Sequence, residues 1–374
     1  MSTLITVPAE SREGEKRVAM VPGLAEKLVK AGLRLRIQSG AGDHAGFSDE
    51  AYRAIEGVEV SDDHAAIWSQ ADLVLCVRRP ADDDVRRMKK GAGLLGFMAP
   101  WQRDDFINSL AGQGVSAFAV ELIPRISRAQ SMDALSSQAA VAGYKAVLIA
   151  AEHLPRFFPM LTTAAGTIRP ARALIVGAGV AGLQAIATAR RLGARVEAFD
   201  VRSAVAEQVE SLGARFVDTG VKAEAEGGYA RELTEEEKQQ QADVLAKHIS
   251  QADIVITTAA IPGRPAPKIV TEPMVANMKP GAVLVDLAAE TGGNCALTRP
   301  GEVHREGRAT LVGPLDVPGM LAEHASEMYA RNLWNFVSPC VSEGTLNWDM
   351  EDEVYARSVV THEGSIRHPA EDKS

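Results

Sequence analysis

Cysteine is nearly absent from this 374-residue chain, which has three. Cys76, Cys295 and Cys340 are scattered, odd in number and without metal-ligand spacing. They predict neither a disulfide framework nor a thiolate metal site, and free thiols suit a reducing compartment. No run approaches the roughly 18 uncharged apolar residues that a bilayer span needs, so direct membrane insertion is not expected. The longest candidate, AAVAGYKAVLIAAEHL, is broken by Lys145 and reads as a buried helix. The opening MSTLITVPAESREGEKRVAM has no long apolar core behind a basic head, so no signal peptide is predicted. There is no dense basic block, and the formal net charge is −9. That balance excludes nucleic acid and an electrostatically held membrane surface as first expectations. No P-loop, no nucleophile elbow and no short-period repeat occur, and the eight histidines show no ligand spacing. No metal is expected.

What is present is a soluble globular composition, 46% hydrophobic and 24% charged, on a chain long enough for two domains. In the first third, LITVPAE, LRLRIQSGAG, ADLVLCVRRP, AGLLGFMAP and VSAFAVELIP read as strands alternating with helices. In the second half ARALIVGAG, RVEAFD, ADIVITTAAIPG, GAVLVDLAAE and ATLVGPLD repeat the scheme. Alternation of this kind predicts an α/β protein with two doubly wound, Rossmann-like domains and a ligand cleft between them. Residues 136–163 read as one long connecting helix. After about residue 328 the alternation stops, and a strand-poor tail is expected to return to the first domain. The predicted division is residues 1–136 plus 329–374, and residues 137–328.

The stretch ALIVGAGVAGLQ holds the sharpest motif. An apolar strand runs into Gly177, Gly179 and Gly182 in GxGxxG spacing, and a helix-favouring run follows. The first glycine permits a tight turn, the second lets backbone approach a pyrophosphate, and the third lets helix pack on strand. The helix start then offers free N–H groups to phosphate. A second strand, RVEAFD, ends on Asp200, where a dinucleotide site places its ribose-binding acid. A carboxylate there accepts from ribose hydroxyls and repels a 2′-phosphate, favouring NAD(H) over NADP(H). Arg202 either pairs with such a phosphate or stays a solvated or adenine-flanking side chain.

Two polar stretches stand apart. Residues 220–241, GVKAEAEGGYARELTEEEKQQQ, read either as a lid or as a solvated loop with an exposed helix. Residues 121–138, ELIPRISRAQSMDALSSQ, crowd Arg125, Arg128, Gln130, Asp133 and several hydroxyls behind an apolar strand. They form either a surface loop with a helix cap or a grip on a polar ligand at a strand end.

The block PRISRAQSMDALSSQ closely resembles the NAD(H)-binding component of proton-translocating nicotinamide nucleotide transhydrogenases. So do GEKRVAMVP, EGGYARE, TTAAIPGRPAP, DLAAETGGN and the glycine motif with DVRSAVAEQVESLGARF. The resemblance covers nearly the whole chain. It implies that Arg125, Gln130 and Asp133 surround the nicotinamide at the hydride-transfer site. It further implies that Arg125, Ile126, Ser127, Arg128 and Ser136 contact NAD(H), with Val180 in the glycine turn. Asp200, Val201 and Arg202 would hold the adenosine ribose. Gly228, Tyr229 and Gln241 would belong to a loop that closes over the nucleotide, and Ala260 would lie near the cofactor. The partners implied are an NADP(H)-binding beta subunit, membrane-spanning subunits and a second copy of this chain. The implied location is cytoplasmic, attached peripherally to the inner membrane through those partners.

Alanine dehydrogenases share the fold and several motifs. Their carboxylate-binding arginine corresponds to Arg17. Their catalytic lysine falls at Arg78, which cannot release a proton, and their catalytic histidine at Phe97, which cannot move one. Their site acid falls at Glu290. Half of that amino acid machinery is missing. Transfer between two nicotinamides moves no proton at the reacting carbons and needs only aligned rings. A non-catalytic NAD sensor is the third reading.

Overall fold

The computed structural model describes residues 2–102, 104–221, 234–261 and 263–368. The chain divides into two compact units, residues 1–138 with 318–374, and residues 139–317. The chain therefore re-enters the first unit eleven residues earlier than the pattern suggested. Residues 322–326 explain why. Ala322, Ala325 and Ser326 are buried, Ser326 Oγ accepts the Val18 N–H at 3.0 Å, and the Ala325 carbonyl accepts Gln138 Nε2 at 3.1 Å.

The first unit opens with six strands: β1 (Leu4–Val7), β2 (Arg34–Gln38), β3 (Val58–Ser61), β4 (Leu73–Leu75), β5 (Gly93–Gly96) and β6 (Ser116–Ala119). They are parallel in the order β3-β2-β1-β4-β5-β6. LITV, GLLG and SAFA are buried along their whole length, as strands covered on both faces must be. Alternate residues go to opposite faces. Leu73 and Leu75 join Ile5, Leu35 and Phe118 on one side, whereas Val74 joins Leu94 and Ala117 on the other. β3 went unread because VEVS is only half buried at a sheet edge.

The second unit begins in the helix Ala134–His153. That helix is shorter than expected, because Pro155 and Pro159 cannot continue it. The residues after it form an exposed hairpin, β7 (Leu161–Thr163) with β8 (Gly166–Ile168). By length and composition the helix could cross a membrane. Instead, Ala146, Val147, Ile149 and Ala150 lie in the core of the second unit. Then come β9 (Arg172–Val176), β10 (Arg195–Phe199), β11 (Arg215–Phe216), β12 (Ile254–Thr257), β13 (Val283–Asp286), β14 (Val303–Glu306) and β15 (Ala309–Val312). The sheet order is β11-β10-β9-β12-β13-β15-β14, parallel except for β14. The strand order reverses between β9 and β12, the place where doubly wound sheets bind ligands.

The tail is not strand-poor. After the helix Ala322–Val337 it forms a small hairpin, β16 (Val341–Ser342) with β17 (Thr345–Leu346). It then adds β18 (Val359–His362) antiparallel to β6, and β19 (Ser365–Ile366) beside that. Short edge strands carry too few alternations to register in a sequence reading.

Candidate functional site

β9 delivers the chain to Gly177 at φ +102°, a conformation that L side chains rarely adopt. A Cβ on Gly177 would also meet Thr258 Oγ1 at 2.4 Å. A Cβ on Gly182 would sit 1.9 Å from the Gly177 carbonyl oxygen. The fold itself therefore demands both glycines. Gly179 differs: it has an ordinary φ of −77°, and nothing lies within 4 Å of where its Cβ would be. No neighbour among the described residues explains that glycine, whereas a phosphate resting on the backbone would. It is the N-cap of the helix Val180–Arg191, whose first N–H groups have no side-chain cap to satisfy them. Val180 is exposed beside it. The residues present thus fit a bound pyrophosphate.

Asp200, at the end of β10, faces this turn. Its Oδ2 accepts the Ala178 N–H at 2.7 Å. Arg202 folds back on the same carboxylate, with Nε to Oδ1 at 3.0 Å and Nη2 to Oδ2 at 3.1 Å. Burial works to raise the Asp200 carboxyl, but the Arg202 and backbone hydrogen bonds outweigh it and hold the group below the usual carboxylate range. Arg202 is therefore a partner of the acid rather than a free solvated side chain. Val201 is exposed between them. On the other side of the turn, Thr258 Oγ1 bonds the Val176 and Gly177 carbonyls. Buried Asn294 holds the Ala259 N–H at 3.0 Å and its carbonyl at 2.7 Å, and Ala260 follows, exposed. Gly143 on the connecting helix lies against Ala181, where a Cβ would meet the carbonyl at 2.1 Å. Sequence reading missed Thr258, Asn294 and Gly143 as supports, since only the fold brings them to the turn. Gly228 and Tyr229 lie outside the described residues. Gln241 is half-buried on the helix Glu235–Gln251, which opens with a reciprocal cap between Thr234 and Glu237.

In the first unit, the arginine-rich block follows β6. Residues Ser127–Met132 form a 3₁₀ turn anchored by buried Ala129 and Met132. Arg125, Ser127, Arg128 and Gln130 are exposed, and Ile126 is half-buried. Asp133 caps the following helix, accepting the Ser136 N–H at 2.8 Å and its hydroxyl at 2.6 Å. The cap reading of this block is therefore realised, and it leaves Arg125 and Gln130 presented to solvent.

The same end of this sheet is filled by the chain's own charges. Glu10, after β1, accepts the Val77 and Arg78 N–H groups, at 2.6 and 3.0 Å, where the strand order reverses between β1 and β4. Burial pushes its carboxyl up to about 7 despite those bonds. Burial likewise works to raise Glu15, but Arg17 more than offsets it and holds that carboxyl down at about 2. Arg17 Nε and Nη2 bond Glu15 at 2.7 and 2.5 Å, and Nη1 bonds Gln138 at 2.8 Å. Arg78 Nε reaches Glu15 at 2.9 Å. Phe97 stacks on Tyr329 with ring centroids 5.5 Å apart. In the second unit, Glu290 accepts the N–H of Asp316, which sits at φ +47°. The three cysteines are buried, and no metal-holding cluster occurs among the described residues.

Two family models match the chain: the alanine dehydrogenase/PNT N-terminal domain over residues 6–142, and the C-terminal domain of that family over residues 146–369. An NAD(P) transhydrogenase subunit alpha protein of Rhodospirillum rubrum is 47% identical over 98% of both chains. The solved transhydrogenase structure from Sinorhizobium meliloti matches with a TM-score of 0.89 and 45% identity, over 97% of this chain and 99% of that one. An alanine dehydrogenase of Mycolicibacterium smegmatis is more distant, at 29% identity over 97% of this chain and 94% of its own.

Proposed function

This chain belongs to the alanine dehydrogenase/PNT family as a component of an NAD(P) transhydrogenase, and from that premise we propose that it is the NAD(H)-binding subunit. In this reading it passes hydride from NADH to NADP⁺ held on a separate subunit. The observation that carries the reading is the glycine turn: Gly179 leaves a cradle that nothing among the described residues fills, with Asp200 beside it. The Val180–Arg191 helix start and the Gly179 backbone receive the pyrophosphate. Asp200 takes the ribose hydroxyls and disfavours a 2′-phosphate, which supports NAD(H) as the dinucleotide bound here. Val201 and Arg202 flank that ribose, and Ala260 borders the cofactor.

Arg125, Gln130 and Asp133 orient the nicotinamide, the group that carries the hydride. The backbone of Ile126 to Arg128 and Ser136 support them. Gly228, Tyr229 and Gln241 close over the bound nucleotide and exclude water. The rings need alignment, not acid–base help, and this chain offers little of the latter. Arg78 has no proton to release at neutral pH, Phe97 has none, and the Arg17 guanidinium is already bonded to Glu15 and Gln138. Proton translocation belongs to membrane-spanning partners, through which this subunit is held at the cytoplasmic face of the inner membrane. A second copy of the chain covers the exposed hairpin β7–β8.

The test is single-turnover hydride transfer with an added NADP⁺-loaded partner subunit. Asp133→Asn and Gln130→Asn are expected to slow transfer at least about tenfold while weakening NADH binding less. Wild-type transfer rates in both variants would dismiss the trio. Vigorous NAD⁺ reduction by L-alanine with the chain alone would dismiss the whole assignment.

A further inference from the structure

Arg128 differs from Arg125 and Gln130 in having its side chain already committed. Its guanidinium forms a two-pronged pair with Asp352, Nη1 to Oδ2 at 2.8 Å and Nη2 to Oδ1 at 2.5 Å. Hydrogen bonding to Arg128 holds the Asp352 carboxyl below its ordinary range. Asp352 is itself fixed. Its Oδ1 accepts the Val354 N–H at 2.8 Å, capping the helix Glu353–Ser358. That helix is rooted in the core by buried Val354 and Tyr355. The Tyr355 hydroxyl donates to the Phe336 carbonyl at 3.0 Å, and its ring lies edge-on to Phe336.

A second clamp acts beyond Arg128 on the same turn. Asn332 and Asn335, on the returning helix Ala322–Val337, both donate to the Ser131 carbonyl, at 2.9 and 3.0 Å. Asn332 also accepts the Ser137 hydroxyl at 2.7 Å. One 3₁₀ turn, Ser127–Met132, is therefore gripped at two points by chain that arrives some two hundred residues later. Among the described residues, the Arg125 guanidinium is unpaired.

We propose that the returning segment positions the ring-binding block: Asp352, through Arg128, and Asn332, through Ser131, set where Arg125, Gln130 and Asp133 stand. The Arg128 side chain serves this clamp and does not grip the dinucleotide. Exposed ion pairs add little to global stability, so the pair's role is placement. Placement matters because an error of about 1 Å at a reacting centre is costly in rate. A strong bidentate pair would also have to break before the same fork could take a phosphate. The proposal rests on the assignment of the trio to the nicotinamide.

The experiment compares the full chain with Asp352→Asn, Arg128→Asp and the reciprocal double variant Arg128→Asp/Asp352→Arg. Three quantities are read: NADH affinity by fluorescence titration, single-turnover hydride transfer to an NADP⁺-loaded partner subunit, and hydrogen exchange of the amides at 127–132. Each single variant is expected to slow transfer about tenfold, with a smaller change in affinity and faster exchange confined to that turn. The double variant is expected to recover most of the rate and the protection. Wild-type transfer and protection in Asp352→Asn would overturn the proposal. So would a double variant no better than Arg128→Asp alone while the helix Glu353–Ser358, which loses its Asp352 cap in that variant, keeps its exchange protection, because that result makes Arg128 a direct ligand. If the double variant does not fold, exchange in Asp352→Asn decides. Exchange needs no turnover, so it tests the clamp even if the wild-type chain transfers no hydride, an outcome that removes the functional reading instead.

Discussion

Glu10 and Glu15 share one loop and one charge, yet burial and partners drive them apart. Glu10 is desolvated against two backbone N–H groups and titrates near 7, whereas Glu15 is locked to Arg17 and titrates near 2. The sign of each effect on stability follows by linkage. Glu10 has a raised folded pKa, so its contribution is fully present below its ordinary value of about 4.5 and is lost as pH rises through about 7. Glu15 has a depressed one, so its contribution is present above about 4.5 and is lost as pH falls through about 2. Glu10→Gln should therefore lose less stability than wild type between pH 5.5 and 8.5, by about 2–3 kcal/mol. Urea unfolding at the two pH values checks this, and parallel curves for the two proteins would contradict it. Glu15→Gln should cost about 3–5 kcal/mol at pH 7, because it leaves Arg17 buried with a weakened partner. Neither glutamate stood out in the sequence. A buried carboxylate looks like any other until its neighbours are known.

At the scale of the element, the glycine turn separates two kinds of glycine that one motif makes look equivalent. Gly182→Ala places a methyl inside contact distance of the Gly177 carbonyl and should destabilise the chain by about 1–3 kcal/mol or more. Gly179→Ala meets nothing among the described residues and should leave the melting temperature unchanged while weakening NADH binding at least about tenfold. Thermal melts paired with NADH titration distinguish the two. Equal loss of stability in both would mean that Gly179 serves the fold alone. This element was legible because every part of it is local: an apolar strand, three spaced glycines, a helix, and an acid at the end of the next strand. The connecting helix was half legible. Its apolar run was plain, but its stop before Pro155 and the hairpin beyond were not, since LTT and GTI are too short and too exposed to show a pattern.

For the whole molecule, that hairpin bears on assembly. Two isolated strands are marginal in water. Phe157, Met160 and Ile168, on and beside the hairpin, are 53%, 64% and 48% exposed, next to a cavity of about 630 Å³ lined by Leu154, Pro155, Arg156, Phe157, Ile168 and Arg169. On the proposal that a second copy covers this hairpin, Met160→Asp/Ile168→Asp should convert that dimer to a monomer in sedimentation, leaving NADH affinity within about twofold of wild type. A variant that stays dimeric would place the contact elsewhere. The sequence alone determined the α/β alternation, the glycine turn with the acid beside it, and the family, because local spacing and composition carry each of them. Only the tertiary structure decided that the tail completes the first sheet, that Arg202 turns back on Asp200, and that Asp352 and Asn332 hold the arginine-rich turn. The reason is physical: long-range pairings depend on which surfaces the packed core brings within hydrogen-bond reach, and that information is spread over the whole chain.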